Sequence, residues 1–247
     1  MKGDTRMDNQ QKEDTADRIR NVAVVLAGGS GKRFGSTVPK QFMIVNGKML
    51  LEYAVSTFEA HPAIDEIFVV AHSDYLEVVQ NAVRQNGWRK VSRVLPGGKE
   101  RYESTMAALQ ALPSSASCNL LLHDAARPLV SPQIITRVTE ALRDHQAVDV
   151  AVPVTDTVLQ TDATGHYIQQ VPDRRSLMAS QTPQAFHLQI LQEAYRRAMA
   201  AGPMLNTDDC GVILQFMPEV PVFIVPGDPR NFKVTYPADL DRIAQML

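Results

Sequence analysis

The sequence predicts an α/β fold, in which a Rossmann-like, mostly parallel sheet is flanked by helices. Short apolar runs of about four to six residues alternate along the chain with segments in which apolar residues recur at helical spacing. The 247 residues are 45% hydrophobic and 21% charged. This balance is ordinary for a globular chain, and the length is sufficient for one large domain with a buried core.

The predicted strands are apolar and rich in β-branched residues. They cover residues 22–26, 66–71, 91–95, 119–123, 148–153 and 222–225. Helical spacing of apolar residues is clearest at 51–58 and 134–142, and Ser131 followed by Pro132 is typical of a helix N-terminus. We assign these stripes to the core and give them no chemistry.

Residues 155–172 depart from this alternation. Polar and apolar residues follow one another there on both sides of a turn at residues 162–165, which predicts a β-hairpin arm. A lone hairpin is marginal in water, so we expect the arm to pack either on a second subunit or back on its own domain.

The ends of the chain and its overall charge restrict the class of protein. Residues 1–20 are polar, charged and free of aromatic residues, so we expect a disordered tail before a single domain at 21–247. Neither a signal-peptide core nor a run near the ~18 apolar residues of a membrane span is present, which favours a cytoplasmic protein without membrane contact. The net charge of -2 argues against a nucleic-acid partner.

The two cysteines, Cys118 and Cys210, lie far apart in the sequence. They lack the spacing of a zinc site and are expected to be free thiols in a reducing compartment.

Residues 26–41 follow the first predicted strand and contain the most informative motif, LAGGSGKRFG. Its glycines allow backbone N–H groups to approach a ligand, and its cations supply positive charge, so the segment predicts a polyphosphate site. The residues concerned are Gly28, Gly29, Gly31, Lys32, Arg33 and Lys40. A solvated basic turn is the alternative interpretation.

Spacing excludes two common phosphate loops. A P-loop requires a glycine where Leu26 stands and a serine or threonine where Arg33 stands. The dinucleotide fingerprint requires a third glycine where Phe34 stands, and a nicotinamide enzyme is therefore disfavoured.

This loop and several later blocks resemble the 2-C-methyl-D-erythritol 4-phosphate cytidylyltransferase family within the sugar-phosphate and polyol-phosphate nucleotidylyltransferases. The blocks occur in that family's order from about residue 21 to the C-terminus. They are ProLysGln (39–41), GGKERYES (97–104), HDAARP (123–128), DT (156–157), PDR (172–174), TPQ (182–184), TDD (207–209) and NFKVT (231–235). The resemblance implies transfer of CMP from CTP to methylerythritol phosphate with release of pyrophosphate, in a homodimer whose arms embrace the partner subunit.

The ends of parallel strands form one edge of a sheet, where ligands bind in open α/β folds. Asp124 follows a predicted strand directly and is a candidate Mg²⁺ ligand, with a turn cap as the alternative. His123 beside it is left out of catalysis, because no second ligand at metal spacing accompanies it.

The resemblance also implies a site for the nucleotide. Its expected residues are Ala27, Gly28, Gly29, Gly31, Lys32, Gly97, Gly98, Lys99, Ser104, Asp124 and Ala125. Backbone groups and a hydroxyl suit a cytosine edge, which offers one donor beside acceptors. Lys99 is given only a backbone contact, and a surface serine is the alternative for Ser104.

The reaction requires cations because two anionic phosphates must meet and negative charge develops at the attacked phosphorus. Arg33, Lys40 and Lys233 are the catalytic candidates, although Lys233 could instead be a strand lysine that extends to solvent. An acceptor phosphate is already largely ionised at neutral pH, so no general base is needed. The resemblance places Arg127, Thr182 and Thr207 at the acceptor, with Thr157 and Arg174 contributed across the dimer.

Three alternatives remain open at this point. A ribitol-5-phosphate cytidylyltransferase resembles the chain in nearly every block, a purine-using nucleotidylyltransferase shares only the loop, and a nucleotide-binding regulator would not need the catalytic cations. Asp208 and Asp209 are interpreted either as helix-start residues or as carboxylates near the metal.

Overall fold

The computed structural model describes residues 19–29, 34, 38–202 and 208–247. The predictions for Gly31, Lys32, Arg33 and Thr207, and for the tail over residues 1–18, lie outside the described residues.

An eight-stranded sheet forms the centre of the fold, and two short two-stranded sheets lie beside it. The strands are β1 (Arg20–Ala27), β2 (Ile44–Val45), β3 (Lys48–Met49), β4 (Glu66–Ala71), β5 (Val91–Pro96), β6 (Cys118–Asp124), β7 (Ala147–Pro153), β8 (Gln160–Thr161), β9 (Ile168–Gln170), β10 (Met178–Ser180), β11 (Gln184–His187) and β12 (Val222–Pro226).

The central sheet has the order β10-β7-β11-β6-β1-β4-β5, with β12 pairing with β7. β1 lies between β4 and β6 and is parallel to both. β5 continues the parallel part beyond β4, whereas β10 and β11 are antiparallel to their neighbours. The sheet is therefore mixed but mostly parallel, as predicted.

Helices cover both faces of this sheet. They are α1 (Leu50–Ala60), α2 (Leu76–Asn86), α3 (Arg101–Gln110), α4 (Pro132–Ala141), α5 (Leu188–Ala201), α6 (Asp209–Phe216) and α7 (Ala238–Met246). Ser131 caps α4, where its hydroxyl accepts a hydrogen bond from the Ile134 amide. Within the described residues, no helix combines the length and the apolar composition that a membrane span requires.

Side chains of β1 divide between two main core clusters, as expected for a strand buried on both faces. Ala23 and Val25 pack with α1 and α4 residues such as Phe58 and Ile134. Val22 and Val24 pack on the opposite face with α3 and α5 residues. A third, smaller cluster joins Phe34 to Val234 and to Ile243 of α7. This contact fixes the C-terminal segment beside the glycine turn.

All predicted strands are present, with ends that lie no more than two residues from the predicted ones. Arg20 is the largest departure, because it begins β1 and pairs with Cys118 rather than belonging to the predicted tail. β10 and β11 were not predicted. They are short, and β11 follows Pro183 in a segment whose polar residues obscure the strand pattern.

The predicted hairpin is present, since β8 and β9 pair antiparallel on either side of the turn. It forms a separate sheet from the central one. Apolar side chains on it are exposed, among them Leu159, Tyr167, Ile168 and Val171. The role of this arm in dimerisation stays a prediction.

Candidate active site

The carboxyl ends of the parallel strands meet at one edge of the sheet. Leu26 of β1 is in register with Asp124 of β6, and Ala27 is in register with Ala71 of β4. Ala71 in turn pairs with Pro96 at the end of β5. The glycine turn, the Gly97–Gly98 turn and Asp124 are therefore neighbours, as the strand order predicted.

The two glycine turns pack against each other with no room for a side chain. A Cβ atom on Gly28 would lie 2.6 Å from the Ser104 hydroxyl oxygen and 3.4 Å from the Gly97 Cα atom. Ser104 is buried, with 3% of its surface exposed, so the surface-serine alternative is wrong. Ser104 lies in the first turns of α3, and its hydroxyl stands between the two turns.

The Gln41 side chain forms hydrogen bonds with the backbone at the start of the glycine turn. Its side-chain amide donates to the carbonyl oxygens of Ala27 and Gly29, each at 2.7 Å. The side chain is buried and the preceding residue is Lys40. This contact links the position of the lysine to that of the turn, and sequence reasoning did not single it out.

Some predicted backbone contacts are already used within the fold. The Ala27 carbonyl also accepts a hydrogen bond from the His72 amide, and the Ala125 amide donates to the Leu26 carbonyl. The backbone groups of Ala27 and Ala125 therefore stabilise the strand ends. Their role in nucleotide binding stays a prediction.

Asp124 lies at the centre of a cluster of cations. Its Oδ2 atom is 2.7 Å from Lys233 Nζ and 3.9 Å from Arg127 Nε, and its Oδ1 atom is 3.5 Å from Arg101 Nε. Burial alone would raise the pKa of Asp124, but the nearby charges of Lys233 and Arg101 outweigh it and hold that pKa well below its usual value. The carboxylate is therefore ionised at neutral pH.

His123 and Thr182 support Asp124 from behind. His123 Nε2 faces the Arg127 carbonyl oxygen at 3.0 Å, so this nitrogen carries the hydrogen. Nδ1 then accepts from the Thr182 hydroxyl at 2.9 Å, and the hydroxyl oxygen accepts from the Asp124 amide at 3.1 Å. Burial lowers the pKa of His123 to about 4, so the imidazole is neutral at pH 7.

Thr182 is itself buried and both hydrogen-bonding sides of its hydroxyl are used. The structure therefore gives it a supporting position behind Asp124. Its predicted contact with the acceptor stays a prediction, and donation of its hydrogen to the acceptor would require the hydrogen bond to His123 to break.

The segment that carries Lys233 is fastened to the cluster at several points. The Val234 amide donates to the Ala126 carbonyl, and Lys40 Nζ donates to the Val234 carbonyl at 2.6 Å. Asn231, fully buried, donates to the Thr182 carbonyl at 2.8 Å. Lys40 and Lys233, distant in sequence, are thus brought to the same place.

These groups surround a cleft of about 300 Å³. The predicted residues that line it are Gly28, Gly29, Lys40, Lys99, Ser104, Asp124 and Lys233. A second cavity, of about 950 Å³, lies against Lys233 and Arg127 and extends to Thr155 and Asp156 at the base of the arm. Lys233 therefore stands between the two cavities.

Arg127 connects the cluster to this second cavity. Its guanidinium donates to the carbonyl oxygens of Asn231 at 2.8 Å and Ser180 at 3.3 Å. Arg174 donates to the Thr155 carbonyl at 3.1 Å. Thr157 and Arg174 are exposed and line neither cavity of their own chain, so their predicted contribution to a partner's site stays a prediction.

Arg101, the second residue after Lys99, was quoted within the GGKERYES block but given no role. It forms an ion pair with Asp209 as well as with Asp124. Asp209 is fully buried and also accepts a hydrogen bond from the Tyr195 hydroxyl at 2.6 Å. The charge of Arg101, three residues after Gly98, was a usable signal, but its partner Asp209 lies 108 residues away in sequence.

The two aspartates after Thr207 have separate roles. Asp208 caps α6, where its side chain accepts from the Gly211 amide at 2.8 Å. Asp209 neutralises Arg101 in the interior, and neither residue lines the cleft. The helix-start interpretation is therefore confirmed for Asp208.

Among the described residues, no group of three or more histidine, cysteine, aspartate or glutamate side chains could hold a metal ion by itself. Mg²⁺ usually keeps several waters and binds through one or two carboxylates together with substrate phosphates. Asp124, ionised and at the wall of the cleft, fits that donor set.

Comparison with known proteins agrees with this geometry. The family model described as "2-C-methyl-D-erythritol 4-phosphate cytidylyltransferase" matches residues 21–247. A protein of that name from Thermobifida fusca is 47% identical over 227 residues, which are 90% of this chain and 91% of the relative.

Two further similarities bear on substrate and fold. A bifunctional ribulose 5-phosphate reductase/CDP-ribitol pyrophosphorylase from Haemophilus influenzae is 38% identical over 90% of this chain but only 47% of its own length. The crystal structure of a 4-diphosphocytidyl-2C-methyl-D-erythritol synthase from Anaerococcus prevotii superposes with a TM-score of 0.80 at 28% identity, covering 92% of this chain and 98% of that one.

Proposed function

The chain belongs to the 2-C-methyl-D-erythritol 4-phosphate cytidylyltransferase family, and we propose that it transfers the cytidylyl group of CTP to the phosphate of 2-C-methyl-D-erythritol 4-phosphate. In this reaction an acceptor phosphate oxygen attacks the α-phosphorus of CTP in line. The bond from that phosphorus to the oxygen bridging the β-phosphorus breaks, and pyrophosphate leaves. The products are pyrophosphate and 4-diphosphocytidyl-2-C-methyl-D-erythritol.

The observation that carries this proposal is the ionised Asp124 in contact with Lys233, with Lys40 held beside Lys233, at the wall of a cleft lined by glycines. Lys233 contacts its carboxylate directly, and Lys40 contacts the backbone next to Lys233. Cations placed beside the α-phosphorus stabilise the negative charge that develops there during the reaction. We assign this task to Lys40 and Lys233, together with Arg33.

The glycine turns and Ser104 form the wall on which the base would rest. Gly28 lines the cleft and packs closely against Gly97 and the Ser104 hydroxyl, so backbone groups border the cleft at Gly28. Backbone carbonyls and amides can distinguish the amino group of cytosine from the oxygen of uracil without a charged side chain. This assignment supports CTP as the nucleotide.

Asp124 would hold Mg²⁺ together with the phosphates of the nucleotide. The ion would neutralise phosphate charge and polarise the attacked centre. In the structure described here Lys233 occupies the Oδ2 side of Asp124, so we expect Lys233 to turn toward the α-phosphate when the nucleotide binds.

The acceptor would lie in the second cavity, next to Lys233 and Arg127. An arginine fork suits phosphate oxygens, and this cavity continues to the arm that carries Thr157. We propose that the arm of a second subunit completes the cavity, because its exposed apolar residues need a partner surface. The two buried free cysteines are consistent with a reducing compartment such as the cytoplasm.

Ribitol 5-phosphate is the second candidate acceptor, supported by the similarity to the CDP-ribitol pyrophosphorylase of Haemophilus influenzae. A pyrophosphate-release assay with CTP, UTP, GTP and ATP against both polyol phosphates distinguishes the candidates. We expect release with CTP and methylerythritol phosphate. Release only with ribitol 5-phosphate, or only with another nucleotide, would refute the proposed specificity.

The proposed role of the cations has its own test. Lys40→Ala should lower kcat by about 10²-fold or more, since a preorganised group at the developing charge is removed. Lys48→Ala, a change of another lysine outside the cleft, serves as the control and should leave kcat unchanged. Full turnover by Lys40→Ala would contradict the mechanism.

The arm is tested by the oligomeric state. Ile168→Glu places a charge on the exposed apolar face of β9 and should yield monomers in sedimentation analysis, whereas Gln170→Glu in the same strand should not. A wild-type monomer would refute the dimer.

A further inference from the structure

Arg101 joins two carboxylates that come from distant parts of the chain. Its Nη1 atom pairs with Asp209 Oδ2, and its Nε atom lies 3.5 Å from Asp124 Oδ1. Arg101 starts α3, three residues after Gly98, and lines the cleft. A single rigid guanidinium therefore contacts both the buried Asp209 and Asp124, the proposed metal ligand.

The inner end of this contact is firmly held. Asp209 has no exposed surface, and the Tyr195 hydroxyl donates to its Oδ1 atom at 2.6 Å. Its amide donates to the Gln184 side chain at 3.1 Å. Removing Arg101 would leave Asp209 as a buried charge without a counterion, which is one of the more destabilising changes a protein can undergo.

The two carboxylate oxygens of Asp124 face different cations. Arg101 is on the Oδ1 side, and Lys233 and Arg127 are on the Oδ2 side. Lys233 is the more exposed of the two close cations, with 36% of its side chain accessible against 21% for Arg101. Lys233 can thus exchange its contact when a ligand arrives, whereas Arg101 is tied to Asp209.

The third nitrogen of the Arg101 guanidinium contacts neither carboxylate. This Nη2 atom is buried and has no hydrogen-bond partner among the described residues. A buried donor of a charged group without a partner is costly. The guanidinium contacts the two carboxylates through its Nη1 and Nε atoms.

We propose that Arg101 is a positioning residue that fixes the Asp124 carboxylate through Oδ1 and leaves Oδ2 as the oxygen presented to the nucleotide and its metal ion. This inference rests on the proposed function. Arg101 takes no part in bond making, and it acts on the reaction through the orientation of Asp124.

The conservative variant Arg101→Lys provides the test. A lysine keeps the positive charge for Asp209 but lacks the fork that reaches Asp124 at the same time. We expect kcat to fall by about 10- to 100-fold, as for a displaced catalytic group. We also expect the Mg²⁺ concentration that gives half-maximal activity to rise. The KM for the acceptor and the melting temperature should change little.

Two further variants separate positioning from general damage. Tyr195→Phe removes a hydrogen bond from Asp209 without altering any charge and should produce a smaller change of the same kind. Arg196→Lys alters an arginine that is paired with Glu193 on the exposed surface of α5 and should behave as the wild type.

Calorimetric titration with CTP and Mg²⁺ gives a readout that needs no turnover, and Arg101→Lys should weaken that binding while Arg196→Lys should not. An Arg101→Lys protein with the wild-type kcat, Mg²⁺ dependence and CTP affinity would overturn the inference. So would an activity loss fully explained by a smaller folded fraction. A wild-type protein that binds CTP yet releases no pyrophosphate would instead overturn the proposed reaction, and the binding comparison would still decide the role of Arg101.

Discussion

Protonation of His123 should make the stability of this protein depend on pH in a defined window. The imidazole is fully buried behind Asp124, with the Phe58 ring at 5.2 Å and the Thr182 hydroxyl at 2.9 Å from Nδ1. Burial lowers its pKa to about 4 from an ordinary value of 6.5. The facing charges are Asp124, which opposes this shift, and Arg127, which adds to it.

The number of protons bound by the folded and the unfolded chain decides whether the free energy of unfolding rises or falls with pH. Between about pH 6.5 and pH 4 the unfolded chain protonates this histidine and the folded chain does not, so the free energy of unfolding falls as the pH falls through that window. At about 1.4 kcal/mol per pKa unit, the full effect is roughly 3 kcal/mol, of which about 2 kcal/mol is lost between pH 6.5 and about pH 4.5.

Urea unfolding at those two pH values measures the effect in the wild type and in His123→Gln. The variant lacks the titrating group, so its loss of unfolding free energy between the two pH values should be smaller by about 2 kcal/mol. His166→Gln, in the exposed turn of the arm, is the control and should keep the wild-type difference. The reasoning is refuted if His123→Gln loses as much stability as the wild type does.

Three further substitutions test the packing around the site. Gly28→Ala should lower the unfolding free energy by about 1–3 kcal/mol in urea titrations, because its Cβ would meet the Ser104 hydroxyl oxygen at 2.6 Å. The loss should shrink in a Ser104→Ala background, and an additive double-mutant cycle would argue against that contact. Gln41→Glu removes the donor to two backbone carbonyls, so we expect a loss of at least about 2 kcal/mol in the same assay and weaker CTP binding in calorimetry; unchanged values for both would show that the clamp is dispensable. Ser131→Ala should cost about 1 kcal/mol in urea unfolding through loss of the α4 cap, and an unchanged midpoint would contradict the role of that hydrogen bond.

The parallel strands and the main helices could be predicted from the sequence because their apolar pattern is local. β1 is a continuous run of buried residues, and the stripe that became α1 recurs at helical spacing. β10 and β11 escaped this reasoning. Their pairing depends on β6 and β7, which are far away in the chain, and their own composition is weakly strand-like.

The common location of several candidate site residues could also be predicted from the sequence, because the ends of parallel strands share one edge of a sheet. The glycine turn, Lys99, Ser104 and Asp124 all border the same cleft as a result. The supporting residues were not accessible in this way. Gln41 looked like an ordinary polar residue beside Lys40, and its importance is visible only from the two carbonyls that it contacts.

The sequence by itself determined the type of fold, the edge of the sheet where a ligand would bind, and the residue types available there. Tertiary structure decided which charges face each other. Arg101 meets Asp209, and Lys40 reaches the backbone beside Lys233 across 194 positions of sequence separation. Electrostatic energy depends on distance in space and on burial, and neither quantity is encoded in the local pattern of residues. For that reason the phosphate-binding loop could be predicted from its motif, whereas the role of the partly buried Arg101 beside Asp124 could be found only in the folded chain.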